Sequence, residues 1–190
     1  MQRIHSVEPA KAQGRTKELL ETVEKAFGTT PNVAKVMANS PAVLDSFLAI
    51  STAMGGAKIG GKLHHQIKLA TSEANTCDYC NSILTYLGNK GGISATEILD
   101  GRKASSHDAR TDAALKFAST VLETRGKVDN DDLQAVRQAG FDDTEIVEIV
   151  TSVVVGCFTN FLNNVADTTL DIPKVEPLQA CATSGNCGCA

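Results

Sequence analysis

The sequence predicts an all-α fold, a multi-helix bundle, and three observations carry that expectation. Apolar residues recur at helical spacing through almost the whole chain, Gly and Pro interrupt that spacing at short intervals, and no strand pair or hairpin turn is found. A length of 190 residues suits one domain with a tail. Hydrophobic residues make up 42%, enough for a core, and with aromatics at only 4% that core must be aliphatic.

The elements follow in order. A first helix is expected over 16–27, where Leu19, Leu20, Val23 and Phe27 share a face and Gly28 ends it. Pro31 opens a short helix to about 37, and a third runs over 41–54 until Gly55-Gly56. A fourth, over 62–74, carries the stripe Leu63, Ile67, Ala70 and Ala74. A fifth is expected over 77–87, with Thr76 as N-cap and Gly88 as its stop. Ser94 and Glu97 make a capping box for a helix to about 102. A long amphipathic helix is read over 108–124, and Asp129 or Asn130 caps another through 139. Asp142 starts the longest, to about 166, with Ile146, Ile149, Val150, Val153, Val154, Cys157, Phe161 and Val165 in one broad apolar band. The run Val153-Val154-Val155 suits a strand in isolation, but the period around it is helical. The domain is expected over 1–172. Residues 173–190, with Pro177, Gly185, Gly188 and three cysteines but little periodicity, are read as a flexible tail.

A net charge of −4 argues against general binding of nucleic acid or anionic membranes, which needs a basic patch. No secretory leader or bilayer span is read, so the expected location is the cytoplasm. In a reducing compartment six cysteines are not a structural disulfide framework; they point to catalysis, metal or buried thiols.

The strongest chemical signal is Cys77-Asp78-Tyr79-Cys80. Two thiols at this spacing close a small disulfide or share a metal ion, and the first turn of a helix favours their thiolate form. A zinc site of the usual pattern needs a second Cys or His pair, and none stands at suitable spacing. A redox dithiol is therefore the leading reading, with zinc and merely structural cysteines as the alternatives.

The run Glu73-Ala-Asn-Thr-Cys77-Asp-Tyr-Cys80, preceded by Leu69 and Ala70, resembles the motif of the carboxymuconolactone decarboxylase superfamily, in its alkylhydroperoxidase D-like (AhpD-like), peroxidase-related branch. Met1-Gln-Arg-Ile-His, Pro31-Asn32, Met37-Ala-Asn-Ser-Pro41 and the run Phe158 to Ala166 before Asp171-Ile-Pro173 are similar to that branch too, so the likeness spans about residues 1–175. The resemblance implies an AhpD-like helical bundle that forms homo-oligomers, trimers or hexamers. It implies a thiol peroxidase or disulfide reductase without metal or organic cofactor, acting on a hydroperoxide and regenerated by a thiol or dithiol reductant protein. It makes Cys80 the attacking and Cys77 the resolving cysteine.

The chain departs from the branch at two relay positions: His65 stands where the family has Glu, and Leu84 where it has His. One imidazole can in principle take a thiol proton and return it. The expectation is that His65 supplies it from the preceding helix, with Leu84 filling the vacated space. Periodicity alone also allows His65 to face solvent. His64 reads as a surface residue, Glu73 as a base or a structural acceptor, Tyr79 as a donor near the sulfurs or a packing group, and Cys157 as a buried inert thiol. Cys181, Cys187 and Cys189 could bind a soft metal ion or metalloid, exchange disulfides with Cys77 and Cys80, or do neither. Three functions compete: a thiol-dependent hydroperoxide reductase, a metal-binding or thiol-exchange stress protein acting through the tail, and a relay-deficient scaffold.

Overall fold

The computed structural model describes residues 1–178. Among these residues a single 3-10 turn, Pro9–Lys11, is followed by nine α-helices and no strand. They are α1 (Gly14–Phe27), α2 (Asn32–Met37), α3 (Pro41–Gly55), α4 (Gly60–Ala74), α5 (Asp78–Lys90), α6 (Ala95–Arg102), α7 (Ala109–Thr124), α8 (Asn130–Gln138) and α9 (Asp143–Ala166).

Side-chain caps set several starts. Ser94 with Glu97, Asp129 with Asp132 and Asp142 with Glu145 form reciprocal capping boxes, and Asp108 accepts from Thr111 N–H. Gly28 ends α1 in the left-handed conformation, φ 72°, as expected of a glycine past a helix end.

α4 is the central rod and packs against α5, α6, α7 and α9. Two aliphatic clusters lie beside it. One joins Ile67 of α4 to Leu115, Phe117, Val136, Ile149 and Val153 of α7, α8 and α9. The other joins Leu19, Val23, Val33, Met37 and Leu44 of α1–α3 to Cys77, Tyr79 and Cys80. The cysteine pair is therefore part of a core. Where α9 crosses α4 the backbones meet closely: a Cβ on Gly156 would lie 2.8 Å from Thr71 Cγ2.

Two expectations are corrected here. α5 does not stop at Gly88 but continues to Lys90. Gly88 serves close approach instead, since a Cβ there would lie 2.9 Å from His65 Nε2 and 3.2 Å from Ile98 Cδ1. The apolar band of α9 is also not one face. Ile146, Ile149 and Val153 are buried, while Val154, Phe161 and Val165 are exposed, together with Val147 and Phe158. α9 is long and apolar enough to cross a membrane (mean hydropathy 1.6), yet 44% of that window is buried against the rest of the domain.

Candidate active site

The site begins where α4 ends. Thr76 takes φ 50°, a left-handed conformation that a β-branched residue rarely adopts. It closes a Schellman pairing, with Cys77 N–H donating to Ser72 O and Thr76 N–H to Glu73 O, each at 3.0 Å. Thr76 thus terminates α4 and does not cap α5, as the sequence had suggested. The N-cap is Cys77, whose sulfur accepts from Cys80 N–H at 3.3 Å. The reversal places one thiol at the head of a helix dipole and the other one turn inside it.

Cys77 and Cys80 form a disulfide, with Cα atoms 5.2 Å apart. Both are buried, at 0% and 2% exposure. Cys80 Sγ accepts a hydrogen bond from Asn163 Nδ2 of α9 at 3.3 Å. The same Nδ2 donates to Thr159 O at 2.9 Å, and this carbonyl fixes which end of the amide faces the sulfur. Asn163 Oδ1 is buried and has no partner among the described residues.

A cavity of about 280 Å³ opens on Cys80. Cys80, Asn163, His64, His65, Lys68 and Leu84 line it, and Cys77 does not. Leu84 is buried, packs against Leu69 and Ile98, and so gives the site apolar surface.

His65 and His64 both face this space. His65 Nε2 lies 2.9 Å from Leu84 O, and a carbonyl only accepts, so Nε2 carries the hydrogen and Nδ1 keeps a lone pair. His64 Nδ1 lies 2.8 Å from Ser152 Oγ, whose own hydrogen goes to Glu148 O, so His64 donates. Burial, then the positive charge of Lys68, pulls each imidazole down to about 4. Both rings are neutral at pH 7. Lys68 is itself lowered to about 8 by burial. Lys68 was not singled out from the sequence, although a place three residues after His65 puts it on the same helix face. Asn163 was missed as well; the signal was Asn160 and Asn163 at i, i+3 inside an apolar helix.

The remaining candidates have structural posts. Glu73 Oε2 accepts from Arg102 Nε at 2.8 Å, and its Oε1 accepts from Leu178 N–H at 2.6 Å. Tyr79 OH donates to Asp171 Oδ1 at 2.8 Å and accepts from Val33 N–H at 3.2 Å, tying α5 to α2. Cys157 is half-buried and accepts from Asn75 Nδ2 at 3.6 Å, and burial raises its thiol pKa. Val175 N–H donates to Ser82 Oγ at 3.0 Å, so 175–178, assigned to the tail from sequence, are held along the domain. Cys181, Cys187 and Cys189 lie outside the described residues.

The helical fold is AhpD-like, of the kind seen in peroxidase-related proteins. The chain superposes on a peroxidase-related protein from Silicibacter with a TM-score of 0.76 at 20% identity, over 86% of this chain and 88% of that one. An alkylhydroperoxidase AhpD core protein from Ralstonia eutropha gives 0.72 at 25% identity, over 88% and 91%. The debrominase Bmp8, as a cysteine-to-alanine variant bound to a tribromopyrrole, gives 0.74 at 18% identity, over 87% and 90%. The resemblance read from the sequence is thereby borne out at the level of fold. No protein-family profile matches the chain, and no curated protein matches it by sequence.

Proposed function

We propose that this protein is a thiol-dependent hydroperoxide reductase in which Cys80 attacks and Cys77 resolves. One observation carries the reading: the cavity opens on Cys80 and not on Cys77. A substrate entering it meets one sulfur only.

The Cys80 thiolate attacks the terminal peroxide oxygen, the O–O bond breaks, and the alkoxide leaves as alcohol after taking a proton. Cys80 becomes a sulfenic acid. Cys77 displaces its hydroxyl, which leaves as water, and the disulfide forms. Two electrons from an external thiol or dithiol protein restore the pair. The backbone N–H at the Cys77 sulfur and the helix dipole favour its thiolate, which suits it to resolve and later to leave. The Asn163 amide does the same for Cys80. His65 presents Nδ1 as the proton acceptor of the relay, with Nε2–H anchored on Leu84 O.

The exposed stripe Val147, Val154, Phe158, Phe161 and Val165 supports self-association. Phe158 packs 6.3 Å from Phe47, a wall of the cavity, so an interface there would abut the site. These features support a homo-oligomer.

The test is thiol counting. Reduced protein given one equivalent of hydroperoxide should lose two thiols, mapped to Cys77 and Cys80, and Cys80→Ser should abolish the loss. Loss confined to Cys181, Cys187 and Cys189 would move the function to the tail. Absence of any loss would leave a scaffold.

A further inference from the structure

We infer that the cavity beside Cys80 recognises a small apolar molecule carrying one anionic group, with Lys68 as the anchor for that anion. The inference rests on reading this cavity as the substrate site.

Charge is the first argument. The lining includes Lys68, His64 and His65 but no Asp or Glu. Lys68 has no ion pair or hydrogen bond among the described residues, and burial is the sole cause of its lowered pKa. Lys68 is half-buried, and a partly desolvated ammonium without a counter-charge is costly; an entering anion would compensate it. Neither imidazole can do so. Each spends its N–H on a protein acceptor, His64 on Ser152 and His65 on Leu84.

The second argument comes from the other end of the site. Asn163, 3% exposed, donates to the Cys80 sulfur and leaves Oδ1 buried without a partner among the described residues. A buried amide oxygen of this kind calls for a donor. Oδ1 is closed to solvent, and the O–H of a hydroperoxide held at the sulfur would supply a donor once the amide shifts to admit it. Between these poles the walls are Val23, Phe27, Val33, Phe47, Ile83 and Leu87. The order is thus anion at Lys68, hydrocarbon in the middle, and the reacting O–H at Cys80 and Asn163. An organic hydroperoxide bearing a carboxylate has this form. Its negative charge would also offset the effect of Lys68 on His65, making the ring more basic only when an acidic substrate is in place.

Calorimetric titration of the full chain in its disulfide form, with hexanoate and with hexanamide near neutral pH, tests this. Hexanoate should bind more tightly by about tenfold or more. Lys68→Met should erase that preference without changing amide binding, and Lys68→Arg should keep it. Equal binding of acid and amide, binding of neither, or a preference that survives Lys68→Met would overturn the inference. If circular dichroism shows Lys68→Met unfolded, Ser51→Asp decides, because it sets a carboxylate on the same cavity wall. Loss of acid binding then supports the anchor and retention overturns it. No thiol chemistry enters this measurement. An acid preference in a protein that consumes no hydroperoxide would remove the enzymatic reading and keep the site, and turnover without acid preference would do the reverse.

Discussion

Asn163 of α9 reaches across to Cys80 of α5, its Nδ2 lying 3.3 Å from the sulfur, while the Cys77 sulfur is served by a backbone N–H. The two thiols of one motif are thus stabilised by different means, one by a removable side chain and one by the helix itself.

Removing the side-chain donor should therefore affect one cysteine alone. Asn163→Leu, near in size, should raise the Cys80 thiol pKa by about one unit, the worth of one hydrogen bond to a charged acceptor. The pH dependence of alkylation at Cys80 in reduced Cys77→Ser protein, read by mass spectrometry, checks it. An unchanged profile would show that the amide plays no part in activating the sulfur.

Thr76 holds a left-handed conformation just before the motif. Thr76→Gly should stabilise the oxidised protein by about 1 kcal/mol, because glycine lacks the Cβ that makes this region unfavourable. Urea denaturation measures the change, and a loss of stability would mean that the threonine side chain contributes more than its strain costs.

Gly88 and His65 share a tight contact. Gly88→Ala should push the ring off Leu84 O, slowing hydroperoxide turnover and costing about 1–2 kcal/mol from overpacking. In a His65→Ala background the same substitution should cost less stability and slow turnover no further. Additive effects would separate the contact from catalysis.

The Glu73–Arg102 pair is largely enclosed, and it also holds the chain at Glu176 and Leu178. Arg102→Met should cost about 3 kcal/mol, since it leaves a partly buried carboxylate without its partner. It should also speed tryptic cleavage after Lys174. Unfolding curves and timed digestion report the two effects.

Stability should fall as pH drops from about 6.5 to about 4. His64 and His65 are lowered to about 4 in the folded state, so over that window the unfolded chain binds protons that the folded one refuses. Each unit of separation is worth about 1.4 kcal/mol at most, less where water reaches the ring. The stabilisation is complete above the unfolded value and lost as pH falls toward the folded one. His64→Gln and His65→Gln should each flatten the slope of denaturation free energy against pH, and an unaltered slope would exclude buried neutral rings.

The sequence by itself determined the helices, because capping residues such as Asp142 and Ser94 and the 3.6-residue period act within one segment. It also determined the dithiol, since the spacing of Cys77 and Cys80 is local. Where locality ended, so did legibility. Gly88 read as a stop because glycine usually is one, yet it is there for a ring on another helix. Val154 and Phe161 read as core because hydropathy does not say which face a neighbour covers. Only the tertiary structure decided that His65 turns inward, that Asn163 donates to Cys80, and that Lys68 shares their cavity without a carboxylate. Those relationships depend on how α4, α5 and α9 cross, and helix crossing is set by packing summed over the whole core.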